Sequence, residues 1–247
     1  MTELQRLARP DGETLAFRRC DGTGPTVLWI GGFRSDMEGT KALALEQAAV
    51  ERGWAYLRFD HFAHGASTGE WRQATIGRWA EDAAAMIDTI EGPVLPIGSS
   101  LGGWLALLLQ TTRPERIAAT VLIAPAADFT ERLMWPSLED HTRQAILRDG
   151  EAMISETGLG DYVLTRHMFE EARGHLILDG PIRAARPVHI LQGRLDDSVP
   201  WRHAMRTVDL IEGADVTLEL IEDGDHRLSR PQDLDRLIAA VERLRAL

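Results

Sequence analysis

Val94-Leu95-Pro96-Ile97-Gly98-Ser99-Ser100-Leu101-Gly102-Gly103-Trp104 runs from an apolar segment through a glycine-flanked serine into a second apolar segment. The pattern predicts a buried strand, a sharp turn and a helix, with Ser100 at the apex of a Gly-x-Ser-x-Gly turn. In such a nucleophile elbow the serine occupies a strained backbone position with its hydroxyl exposed. Glycines two residues to either side, here Gly98 and Gly102, permit an approach of neighbouring backbone that a Cβ would block. Ser99 lacks glycines at both of those offsets. A phosphate-cradling turn would need a lysine after the glycines or a Gly-x-Gly-x-x-Gly pattern, and neither is present.

Outward from this turn, short apolar runs recur at Val27–Ile30, Ala55–Phe59, Val94–Ile97, Ala118–Ile123, Val188–Leu191 and Val216–Ile221. Continuous apolar runs of this length suit strands buried on both faces, as in a parallel sheet. Helical spacing fills the intervals Met37–Arg52, Thr75–Ile90, Leu101–Gln110, Trp201–Ile211 and Asp233–Leu244. Before them, Glu3–Ala8 and Thr14–Arg19 flank Pro10-Asp11-Gly12, a hairpin signal. The expected fold is α/β: an eight-stranded, mostly parallel sheet with helices on both faces. The rhythm breaks between Asp128 and Arg186, where helical stretches such as Leu138–Arg148 appear and no strand followed by a helix is evident. Residues 1–127 and 187–247 are therefore expected to form the core, and 128–186 a small helical lid.

Composition bounds the partners. The chain has 247 residues and a formal net charge of -11 without a terminal acidic block, which disfavours nucleic acid and anionic membrane surfaces. No run is long and apolar enough for stable membrane insertion. The one cysteine, Cys20, rules out an intramolecular disulfide and fits a reducing compartment. The opening MTELQRLARPDGETLAF lacks the apolar core of a signal peptide, so a cytoplasmic location is expected.

A serine hydroxyl needs a base to act as a nucleophile at neutral pH. After Val188–Leu191 comes Gln192-Gly193-Arg194-Leu195-Asp196-Asp197, and after Val216–Ile221 comes Glu222-Asp223-Gly224-Asp225-His226, so carboxylates and a histidine follow strand ends. Open α/β sheets bind ligands at that edge. His226 is the expected base. Asp196 and Asp197 are both candidates for the orienting acid, and either could instead be a turn or cap residue. The Leu101 N–H, at the helix start, and the Phe33 N–H, in the Gly31-Gly32-Phe33 loop, are the expected oxyanion donors. Among the eight histidines, His61 and His64 with Asp60 have metal-like spacing but no further ligand cluster, so neither a metal nor any other cofactor is expected. His189 falls within a strand and is expected to be buried and satisfied. His141, His167, His175 and His203 are expected on the surface or in the lid.

The stretches GGFRSDMEGTKALALEQ, YLRFDHFAHGASTGE, GSSLGGWLAL, QGRLDDSVPW and DGDHRLS, in this order, resemble the α/β-hydrolase superfamily, and within it the palmitoyl-protein thioesterase and acyl-glucuronide esterase branch. The resemblance runs from about Thr26 almost to the last residue. It implies a triad of Ser100, Asp196 and His226, choosing Asp196 over Asp197, and an oxyanion loop at Gly32-Phe33. His-Phe-Ala-His at 61–64 departs from the family pattern, and no mitochondrial targeting extension is expected.

The expected activity is hydrolysis of carboxylic esters or thioesters, of small molecules or acylated proteins, through an acyl-serine intermediate. Gly32 and the apolar lid residues Met134, Trp135 and Leu138 are expected to face substrate, with ordinary lid packing as the competing role. Acyl transfer to another acceptor, carbon–carbon bond hydrolysis and a non-catalytic binding scaffold are the alternatives. Dehalogenase and epoxide hydrolase chemistry would need an aspartate where Ser100 stands.

Overall fold

A computed structural model describes residues 2–156 and 160–247. The hairpin is formed by β1 (Gln5–Ala8) and β2 (Thr14–Cys20), turning where Gly12 takes a φ of 92°. Then follow β3 (Thr23–Ile30), α1 (Thr40–Arg52), β4 (Trp54–Phe59), α2 (Ile76–Asp88), β5 (Val94–Ser99), α3 (Leu101–Thr112) and β6 (Thr120–Ile123). The 128–186 interval contributes α4 (Trp135–Ser137), α5 (Asp140–Asp149), β7 (Glu151–Glu156), β8 (Gly160–Thr165), α6 (Arg166–Ala172) and β9 (Ile182–Arg183). The chain ends through β10 (Val188–Gly193), α7 (Trp201–Leu210), β11 (Ile211–Glu212), β12 (Val216–Ile221) and α8 (Pro231–Arg245).

Eight strands form one sheet in the order β1-β2-β4-β3-β5-β6-β10-β12, with every pair from β4 onward parallel. Burial on both faces explains the continuous apolar runs. In β3, Val27 and Trp29 point into a cluster with Leu45 of α1 and Leu237 and Val241 of α8, whereas Leu28 and Ile30 point into another with α2 and α3. Each such fully buried side chain contributes roughly 1.5–3 kcal/mol. Because β5, β6, β10 and β12 run parallel, the loops after them all emerge at one edge of the sheet.

The described part of residues 128–186 departs from the expected small helical lid. It contains an antiparallel hairpin, β7 paired with β8 from Glu151↔Thr165 to Glu156↔Gly160, and β9 pairs with β11 of the core. The physical signal is a period of two: Ala152 and Ile154 pack on the core while Met153 between them is 63% exposed. Alternation over so short a segment is masked by the helix that precedes it, which ends where Gly150 turns left-handed at φ 88°. The lid shares the core's apolar cluster through Ile146, Leu164, Phe169 and Leu178.

One carboxylate fastens both ends of this insertion. Asp128, fully buried with φ 55°, accepts the amides of Ile177 (2.8 Å) and Leu178 (2.9 Å), and Arg132 Nε lies 3.2 Å away. Asp128→Ala would strand two amides and is expected to lower folding stability by about 3 kcal/mol. Urea denaturation measures this, and an unchanged midpoint would refute the anchoring role.

Candidate active site

Ser100 has φ 55° and ψ -117° and caps α3 directly after β5. This left-handed backbone is held from outside: the Ser100 N–H donates to Ile123 O (2.9 Å), and Ser100 O accepts from Gly103 N–H (2.9 Å) and Ala126 N–H (3.0 Å). A Cβ on Gly98 would collide with the backbone of Gly102, and one on Gly102 with the carbonyls of Ile30 and Gly31. Both glycines are thus required for β3, β5 and α3 to meet. A methyl group placed on Gly32 would lie 3.3 Å from the Ser100 Cβ, so the loop after β3 passes directly against Ser100.

The loops after β10 and β12 carry the other two groups. His226 Nδ1 lies 2.8 Å from Asp196 Oδ2. Asp196 also accepts from the amides of Ser198 (3.0 Å) and Val199 (2.7 Å) and from Gln192 Nε2 (3.1 Å). With its side chain fully buried and four donors on two oxygens, Asp196 is held in one orientation as an acceptor for the imidazole. The adjacent Asp197 is exposed, and Ser198 is its hydrogen-bond partner, at 3.4 Å. Geometry therefore separates two aspartates that spacing alone could not. The loops are stitched together by Arg194 N–H to Ile221 O (2.8 Å) and Leu195 N–H to Gly224 O (2.9 Å).

Neither the Phe33 nor the Leu101 amide donates to another group among the described residues, which leaves both available to a ligand. Ser100 Oγ likewise has no partner there, His226 Nε2 included; such hydrogen bonds are often long without substrate. The lid residues Met134, Trp135 and Leu138 are half-buried against the core cluster, and the Trp135 ring meets Phe169 of the lid edge-on at 4.9 Å. No hydrogen bond or ring contact joins them to Ser100 among the described residues.

The sequence reading missed the role of three supporting groups. Asp60 accepts the amides of Met37 (2.7 Å) and Ala66 (2.7 Å), and burial raises its pKa to about 6. His64 Nε2 accepts the Arg34 amide (3.1 Å) while Nδ1 faces Phe62 O (2.9 Å), which assigns the neutral ring with its proton on Nδ1. Burial lowers its pKa to about 4. The residues that suggested a metal thus brace the chain just after Gly32-Phe33, and no group of three or more candidate metal ligands occurs among the described residues. The only signal was an Asp-His-Phe-Ala-His sequence at a strand's end. Lys41, from α1, donates to Arg227 O beside the histidine and to Ser229 Oγ (3.4 Å), with a pKa lowered by burial to about 8.

His189 is buried as expected, with Arg243 on Nδ1 at 2.6 Å, although its Nε2 has no hydrogen-bond partner among the described residues. His203 lies in α7, half-buried, with Nε2 2.7 Å from Ala127 O.

The family described as Hydrolase_4, serine aminopeptidase, S33, matches residues 25–149. The human palmitoyl-protein thioesterase ABHD10, mitochondrial, is 35% identical over 98% of this chain and 80% of its own length. The solved structure of mouse alpha/beta hydrolase domain-containing protein 10 superposes with a TM-score of 0.90 at 34% identity, covering 98% of each chain. A solved structure from Agrobacterium vitis S4 gives a TM-score of 0.91 at 39% identity, over 99% of this chain and 98% of that one.

His64 gives a testable electrostatic consequence. Its folded pKa of about 4 lies below the usual 6.5, so between those values the unfolded chain binds more protons and acidification costs stability. Asp60 and Asp82, both raised by burial to about 6, act in the opposite direction between pH 4 and 6. His64→Gln, which can still accept from Arg34, is expected to spare on the order of 2 kcal/mol of the loss between pH 6.5 and 4. Urea midpoints across this range test it; an unaltered pH slope would contradict a buried neutral imidazole.

Proposed function

The chain belongs to the S33 serine aminopeptidase family of α/β-hydrolases, and from that membership we propose that it is a serine hydrolase cleaving carboxylic esters or thioesters through an acyl-Ser100 intermediate. The observation that carries the reading is the buried Asp196 carboxylate bonded to His226 at the sheet edge where the strained Ser100 turn emerges.

In the proposed mechanism His226 Nε2 accepts the Ser100 hydroxyl proton as Oγ attacks the acyl carbonyl. Asp196 holds the imidazole with its other proton on Nδ1 and stabilises the imidazolium that forms. Negative charge on the carbonyl oxygen is met by the Phe33 and Leu101 amides, reinforced by the N-terminal end of α3; each donor is worth on the order of a hundredfold in rate. Collapse of the adduct expels the alkoxide or thiolate, which leaves with the proton from His226. Water, deprotonated by the same imidazole, then attacks the acyl-serine and frees the acid.

Esters and thioesters are favoured over amides because an alkoxide or thiolate is a better leaving group than an amide nitrogen. The name of the human relative, a palmitoyl-protein thioesterase, supports the same class. Within this proposal Gly32 lines the acyl carbonyl's side, and Met134, Trp135 and Leu138 supply apolar surface for an acyl chain. The substrate is then a small-molecule or acyl-protein ester or thioester, and the lone, free Cys20 fits a reducing compartment. Among the described residues no helix is long and apolar enough to cross a membrane.

The test is the specificity constant for p-nitrophenyl esters from acetate to palmitate, measured on the wild type and Ser100→Ala. A loss of roughly a thousandfold or more in the variant is expected. Equal activity in both proteins would remove Ser100 from the mechanism, and an optimum at acetate would remove the lid's apolar residues from the acyl site.

A further inference from the structure

Gln192 is the penultimate residue of β10, a central strand flanked by β6 and β12, and its side chain is fully buried. Its Nε2 lies 3.0 Å from Gly193 O, 3.1 Å from Asp196 Oδ2 and 3.0 Å from Val199 O. All three neighbours are acceptors, so the amide must present its NH₂ to them; the flipped amide would set oxygen against oxygen three times. The consequence is an Oε1 that is buried without a partner among the described residues. An unsatisfied buried carbonyl of this kind costs roughly 1–3 kcal/mol. A leucine or methionine here would carry no such penalty, so the glutamine is a poor choice for packing alone.

What it supplies is specific. Asp196 Oδ1 is fixed by the Ser198 and Val199 amides, and besides His226 the donor on Oδ2 is Gln192. The same amide grips Val199 O, so it sets both the carboxylate and the loop that presents it.

We propose that Gln192 is a positioning residue of the catalytic centre, holding Asp196 Oδ2 in place and withdrawing charge from the oxygen that faces His226. This rests on the triad assigned under the proposed function. Removing the donor leaves a more basic carboxylate oxygen opposite Nδ1, which favours the imidazolium and moves its titration upward. A mobile carboxylate also fixes the imidazole less well for proton transfer.

The full-length protein is labelled at Ser100 with a fluorophosphonate, and the rate is followed against pH for wild type, Gln192→Leu and Gln192→Glu, with thermal midpoints in parallel. For Gln192→Leu the plateau rate is expected to fall about tenfold and the acid limb to rise by about half a pH unit. For Gln192→Glu, the new carboxyl faces only acceptors and can replace the donor only when protonated. Its labelling is therefore expected near the wild-type rate at lower pH, with an alkaline loss that the wild type lacks. The other charged groups near the pair, Lys41 from α1, Asp225 and Arg227 on the histidine's loop and Asp197 beside the acid, are the same in all three proteins.

An unmoved acid limb in Gln192→Leu with only a lowered thermal midpoint overturns the proposal, because that is the result for simple packing. If Gln192→Leu does not fold, Gln192→Glu decides alone: no alkaline loss overturns it. NMR titration of the His226 ring reads the same upward shift without any reaction at Ser100. Failure of the wild type to label would thus sink the hydrolase reading and leave the Gln192 contact to be judged by the NMR shift.

Discussion

The structure is organised around the strained, left-handed backbone at Ser100. Such a conformation costs a non-glycine residue of order 1–3 kcal/mol, and it persists because its surroundings leave no alternative. The Ser100 amide is bonded to the end of β6, its carbonyl to the segment after β6, and α3 is pressed onto β3 and β5 where Gly98 and Gly102 lack side chains. Relaxing the turn would therefore unseat α3, whose Trp104, Leu105 and Leu109 are buried in the larger apolar cluster. The burial energy of a handful of large side chains exceeds the local strain several-fold.

The same edge of the sheet concentrates buried polar groups, and their satisfaction follows a pattern. Asp196 and Asp60 have each oxygen engaged by an amide, and Asp128 collects two amides and a guanidinium. Each carboxylate fixes a loop rather than a strand. By contrast, Gln192 Oε1, near the end of β10, is buried without a partner among the described residues, and His61 is buried just beyond β4. Burial holds the His61 imidazole well below its usual range, so the ring does not add a buried charge. Asp196, Asp60 and Asp128 each hold donors on both oxygens, in line with the desolvation cost of a bare charge, whereas the neutral Gln192 Oε1 goes without a donor among the described residues.

Much of this was legible in the residues themselves. Parallel strands buried on both faces are continuous apolar runs, so the core sheet could be read directly, and Gly-x-Ser-x-Gly between a strand and a helix located the turn. The lid was harder: Ala152, Met153 and Ile154 alternate over too few positions to outweigh the helical segment before them, and the hairpin partner lies beyond residues 157–159. Asp196 and Asp197 differ by one position and by nothing else in sequence, whereas in space one is buried under four donors and the other is exposed. Gln192, Asp60 and His64 share this difficulty. A polar residue at a strand end is usually a turn former, and its partners are set by long-range topology.

Phe33 connects the two halves of the proposed chemistry. Its amide is one of the proposed oxyanion donors, and its ring makes contacts with Trp71 at 5.4 Å, Trp79 at 6.0 Å, Phe129 at 5.7 Å and Tyr162 at 5.7 Å. Trp79 lies in α2, Tyr162 in the lid hairpin, and Trp71 donates through Nε1 to Val163 O of that hairpin at 2.7 Å. Aromatic pairs of this type add about 0.5–1.5 kcal/mol each beyond their burial. The residue that would face the developing oxyanion is therefore clamped between the core helix and the lid, and His64 holds the next amide in the chain. A substitution that shrinks the Phe33 ring would loosen the lid and the amide together, because both are held by the same side chain. The loop that carries the proposed oxyanion donor and the hairpin of the 128–186 segment are in this way mechanically joined, although they come from segments more than a hundred positions apart.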